Sequence, residues 1–172
     1  ITTYGGPYQG VQTIKAEDFE SYIRVMPHSE YPSATGCICL AIQEFTDTVL
    51  RQRYGLDSVP VDVPFPHTPF ANGSSKIEPG VTPQQDLFVT MSDMTELREV
   101  CSTSRLWGGM HFTQSIDGAY ELCEGLGTMS YVYVDALERG DQAALKKLAK
   151  KGLKGWNRKQ KKRSKDSSEH SS

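Results

Sequence analysis

The chain has 172 residues, 37% of them hydrophobic, and a formal net charge of −2. That length suits one domain with a real core, and no run approaches the roughly 18–20 consecutive apolar residues of a membrane span. The near-neutral total hides an asymmetry: eleven of the 19 Lys and Arg fall between Lys146 and Lys165, which leaves 8 basic against 19 acidic groups over residues 1–145. An acidic body repels a phosphate backbone, so no specific nucleic-acid partner is expected, and residues 151–172 read as a solvated, disordered basic tail behind a folded domain over 1–150.

Residues 1–16 are rich in Gly and Thr, show no hydrophobic period and are expected to be irregular. Pro27 and Pro32 keep the following segment extended and delay any helix until Ser33, which stands at an N-cap position. Ile38, Ala41, Ile42, Phe45, Val49 and Leu50 then recur at helical spacing up to Gly55, predicting an amphipathic helix over 34–54. Its start offers free N–H groups and the positive end of the helix dipole to an anion, although capping by Ser33 alone needs no ligand.

Residues 56–86 hold six of the nine prolines and read as a long loop, in which Phe65, His67 and Phe70 either line an entrance or pin the loop down. The sequon Asn72-Gly73-Ser74 lies there and has meaning only in a secreted or endomembrane protein. Further helices are predicted over 90–101, capped by Thr90 or Ser92, around Ile116, Ala119, Leu122 and Cys123, and over 129–150. Cys37, Cys39, Cys101 and Cys123 allow three full pairings. Cys37 and Cys39 point about 200° apart on a helix, so they are no metal pair, and small buried apolar residues is their plain reading.

The chemistry concentrates in Ser104-Arg105-Leu106-Trp107-Gly108-Gly109-Met110-His111. On an unbroken helix Arg105 and His111 lie roughly 240° apart, so serving one ligand requires a turn between them, and Gly108-Gly109 is where a turn costs least. An Arg fork beside an imidazole suits a tetrahedral oxyanion.

Two segments, taken together, resemble the vanadium-dependent haloperoxidase and type 2 phosphatidic acid phosphatase superfamily. Glu30-Tyr31-Pro32-Ser33-Ala34-Thr35 is similar to its YPSGH motif, and Ser104-Arg105 through His111-Phe112 is similar to its SRxxxxxH motif. The resemblance implies an all-α helical bundle, incomplete at its N-terminus because the family's first motif, a Lys followed by Arg-Pro, has no counterpart here. It also implies vanadate as cofactor where the full-length protein supplies that first motif and its cationic contacts, and hydrogen peroxide with a halide or small organic molecule as substrates. By the same carry-over, His111 is the nitrogen bound to the metal, Arg105 holds equatorial oxygens, and the Ser33 hydroxyl and Ala34 N–H bond the oxyanion.

Thr35 occupies the place of the family's acid–base His; its hydroxyl can donate a hydrogen bond but cannot carry a proton near neutral pH. His28 is a candidate substitute. Ser115 stands where phosphatase members carry an Asp that orients the ligand His. The expected activity is therefore a haloperoxidase-like oxidation, with a decayed, non-catalytic site or phosphoester hydrolysis through phospho-His111 as the alternatives.

Overall fold

The structure is a computed structural model that describes residues 1–24 and 27–150. The basic tail expected over 151–172 lies outside the described residues. The chain divides into two compact units, Ile1–Gly127 and the residues from Thr128 onward.

Three helices build the first unit: α1 (Ala34–Val49), α2 (Met94–Trp107) and α3 (Thr113–Cys123). Helix α1 starts behind Ser33, whose Oγ accepts the Gly36 N–H at 3.1 Å, and continues through a π-helical turn, Leu50–Tyr54, to Gly55 at φ 66°. Its inward face differs from the expected one: Gly36, Cys39 and Leu40 are buried, whereas Ile38 and Ile42 are exposed. Small residues turn inward because α1 packs against both α2 and α3, and a Cβ added to Gly36 would lie 3.0 Å from that of Ala119 on α3.

The cysteines are paired rather than free. Cys37 bonds Cys123 at the end of α3, and Cys39 bonds Cys101 on α2. The geometry of a helix explains this choice: thiols two residues apart face opposite sides, so α1 offers one to each neighbour. A polar seam runs alongside, where Arg98 on α2 donates to Gln43 of α1 at 3.0 Å and lies over the Tyr120 ring of α3 at 5.0 Å.

The unit is mostly helical but not all-α. Residues 1–16 form a hairpin, β1 (Thr2–Tyr4) against β2 (Val11–Thr13), and the long loop is closed by β3 (Val61–Val63) pairing antiparallel with β4 (Val89–Met91). Three-residue strands are too short to show a period of two, which is why the pattern missed them. Phe70 pairs with Leu87 across the loop and so helps pin it, while Phe65 is exposed. The Asn72 side chain, in the expected sequon, donates to the Gln84 carbonyl at 2.6 Å. Buried Glu78 joins hairpin to loop through the Thr82 and Tyr4 hydroxyls; the Thr82 bond, followed by the tyrosines, holds its carboxyl below the usual range.

Helix α2 begins later and ends later than expected. Asp93 rather than Thr90 or Ser92 is the cap, accepting the Glu96 N–H at 2.9 Å, while Glu96 reaches back to the Ser92 N–H at 2.7 Å. The helix runs on through Arg105 to Trp107, and Gly108-Gly109 then reverses the chain. Gly109, at φ 72°, donates to the Leu106 carbonyl at 2.9 Å, and Met110 donates to the Arg105 carbonyl at 3.0 Å. This pair of bonds is a Schellman termination, which needs a left-handed residue at its centre. The turn anticipated at the glycines is there.

In the second unit the helix expected over 129–150 is interrupted. Helix α4 (Leu126–Glu138) ends before Gly140, which has φ 65°, and Asp141 caps a further helical stretch over 142–150 by accepting the Ala144 N–H. Tyr131 and Ala136 are buried, while Leu137, expected in the apolar set, is half exposed.

Two outcomes follow. Gly109→Ala places a Cβ in a left-handed residue, 3.1 Å from that of Ser21, and should lower stability by about 1–2 kcal/mol in urea unfolding. Removing the Cys39–Cys101 bridge as the double alanine variant should cost about 2–5 kcal/mol in the same measurement.

Candidate functional site

The residues singled out from the sequence fall on three structural features: the start of α1, the last turn of α2 with its glycine reversal, and the start of α3. Ser33 is fully buried. Its hydroxyl oxygen is occupied as the α1 cap, leaving the O–H to donate, and its own N–H donates to the Ser115 carbonyl at 2.8 Å. The N–H groups of Ala34 and Thr35 have no partner among the described residues, as expected for the first positions of a helix. Thr35 is half-buried and its hydroxyl bonds none of the other candidate residues.

Arg105 occupies the last turn of α2. Its Nη2 meets the thioether of buried Met110 at 2.9 Å, and its Nε is buried with no partner among the described residues. No described carboxylate pairs with it. A half-buried guanidinium whose neighbour is a sulfur is poorly compensated, because sulfur is a weak acceptor and carries no charge.

His111 is buried and tightly oriented. Its Nδ1 lies 2.7 Å from the Glu30 carbonyl oxygen. A carbonyl only accepts, so Nδ1 carries a proton, and in the neutral ring Nε2 presents its lone pair. The His28 ring stands beside it, with centroids 5.1 Å apart and planes tilted by 32°; His28 is exposed, and its Nδ1 is engaged by the Ser29 carbonyl at 2.9 Å.

The residue that sequence reasoning missed is Glu30. Its Oε1 accepts the Phe112 N–H at 3.0 Å and the Ser115 hydroxyl, and lies 3.8 Å from His111 Nδ1. Those bonds, the Ser115 hydroxyl first and the Phe112 N–H second, hold its carboxyl below the ordinary range. It stands within the first motif, but nothing in the sequence announces a contact across 81 residues.

A ring nitrogen, a guanidinium without a carboxylate partner among the described residues, a hydroxyl and helix N–H groups are each the kind of donor that an oxyanion takes. Among the described residues no group of three or more His, Cys, Asp or Glu is placed to hold a metal cation, and no helix is long and apolar enough to cross a membrane.

A family model describing the VCPO second helical-bundle domain matches residues 1–140. No curated protein matches the sequence. Two solved structures of a bacterial vanadium-dependent chloroperoxidase are similar at 30% identity: the holo-type form with a TM-score of 0.65 over 78% of this chain, and the apo-type form with 0.68 over 82%. The chain spans only 27% and 28% of their respective lengths. With the family matched over most of its length and the fold shared, this chain belongs to the vanadium haloperoxidase superfamily, within which it corresponds to the second helical bundle.

Proposed function

We propose that this domain contributes the oxyanion-holding half of a vanadate-dependent haloperoxidase, with His111 as the nitrogen ligand. The observation that carries this reading is Arg105: a half-buried cation with an unpartnered Nε and no carboxylate among the described residues, one turn and a glycine reversal from an imidazole whose Nε2 is free. An anion seated between them would supply the charge that the thioether of Met110 does not. Vanadate, when bound, supplies Lewis-acid activation of hydrogen peroxide without changing its oxidation state.

The chain's own residues do the rest. Arg105 would offer planar paired donors to the oxyanion, a geometry that Lys cannot reproduce. The Ser33 O–H and the Ala34 N–H add neutral donors at the positive end of α1. Thr35 donates a hydrogen bond and no proton. The proton carrier is His28, whose exposed ring packs beside that of His111 and whose Nε2 is left available by the Ser29 contact. The two disulfides support an oxidising compartment, secreted or endomembrane.

Orthovanadate titration followed by 51V NMR tests the site. Wild type should bind, and His111→Ala and Arg105→Lys should each weaken binding by about 10- to 100-fold, the worth of one charge-assisted bond or one ligand. Equal affinity in all three removes the reading. Phosphate release from a phosphoester, inhibited by vanadate and lost in His111→Ala, would assign the site to hydrolysis instead.

Bromination of an organic acceptor with peroxide, measured on the vanadate-loaded protein, tests the proton carrier. His28→Ala should slow turnover by about 10²-fold or more with vanadate affinity unchanged. Activity that appears only in Thr35→His would mark the wild-type site as decayed.

A further inference from the structure

Helix α3 starts without a cap of its own: Phe112 is its N-cap residue and supplies no side-chain acceptor. In an ordinary capping box the residue three positions on would reach back to that N–H. That position is Ser115, whose hydroxyl instead donates to Glu30 Oε1, the atom that also accepts the Phe112 N–H. The cap is therefore divided between two segments more than 80 residues apart, with a carboxylate at the positive end of the α3 dipole.

Glu30 also grips the residue just before that cap. Its carbonyl oxygen accepts a hydrogen bond from His111 Nδ1–H at 2.7 Å, and its carboxylate stands 3.8 Å from the same nitrogen. One residue thus holds the His111 ring by its backbone and the peptide following it by its side chain. Swinging the ring away breaks its bond to a carbonyl whose residue is itself pinned by the cap.

We propose that the Glu30 carboxylate, with Ser115, is the positioning element for His111, holding the Nδ1–H tautomer so that Nε2 faces the oxyanion. Ser115 replaces an orienting carboxylate in sequence, and Glu30 returns one in space from the opposite motif. A negative charge next to Nδ1 raises the donor strength of Nε2, as outer-sphere carboxylates do for ligating imidazoles. The inference rests on the reading of His111 as the nitrogen ligand, but its structural half is measurable without vanadate.

The test uses the full chain with Glu30→Ala, Glu30→Gln and Ser115→Ala. Long-range 15N–1H correlation spectra report the His111 tautomer in the absence of vanadate. Wild type should show a single Nδ1–H form, Glu30→Ala a mixture with Nε2–H, and the other two variants intermediate mixtures. Orthovanadate affinity by 51V NMR should fall by about 10- to 100-fold in Glu30→Ala, with the Gln variant in between. A single Nδ1–H tautomer in Glu30→Ala overturns the proposal, and so does a variant that only melts earlier with its tautomer unmoved. Where Glu30→Ala fails to fold by circular dichroism, Glu30→Gln and Ser115→Ala decide by the same spectra. If wild type binds no vanadate, the ligand reading falls while the tautomer shift still decides the role of Glu30.

Discussion

The start of α1 is bonded to the start of α3, and the candidate site depends on that junction. The Ser33 N–H donates to the Ser115 carbonyl, and Glu30, three residues earlier, closes over Phe112 and Ser115. The two helices approach closely because small residues meet there: Gly36 faces Ala119, and a side chain at Gly118 would fall on the Tyr31 ring. Enlarging any of them would push apart the two segments that orient His111. The Cys37–Cys123 bridge fastens the same helix pair near the other end of α3, so the contact is held from two directions.

The electrostatics of the site are asymmetric in a useful way. The one described carboxylate beside His111 accepts an N–H and a hydroxyl on a single oxygen, whereas Arg105 has, among the described residues, only a thioether. On the reading proposed above, a site prepared for an anion keeps its positive group uncompensated. Satisfying Arg105 internally with a carboxylate would stabilise the apo fold and remove the attraction for a ligand. Arg98 also has a buried Nε without a partner among the described residues, but its fork is met by Gln43 and Glu99, and Arg139 pairs with Asp135 one turn away on α4.

The glycine reversal serves both chemistry and packing. Its Schellman bonds close the end of α2 just beyond Arg105, and the same turn accepts the Ile23 N–H through the Gly108 carbonyl. A Cβ on Gly108 would lie 2.9 Å from the Ile23 Cδ1 and 3.2 Å from the Ser104 carbonyl oxygen, so Ile23 would have to shift to admit one. Ile23 therefore packs on the turn that separates guanidinium from imidazole.

Periodicity and punctuation in the sequence determined a good deal: the α1 start at Ser33, its end at Gly55, the reversal at Gly108-Gly109, and the motif pair that places the chain in its family. These are local properties, set by dihedral preferences and by the spacing of apolar residues over a few turns, so one stretch of chain suffices to specify them. Tertiary structure alone decided which cysteines pair, that Ile38 and Ile42 face outward, that two short strand pairs flank the helices, and that Glu30 reaches His111. Most of these depend on which groups, up to 86 residues apart, come within bonding distance. No local period encodes that distance; it is set by how the helices pack.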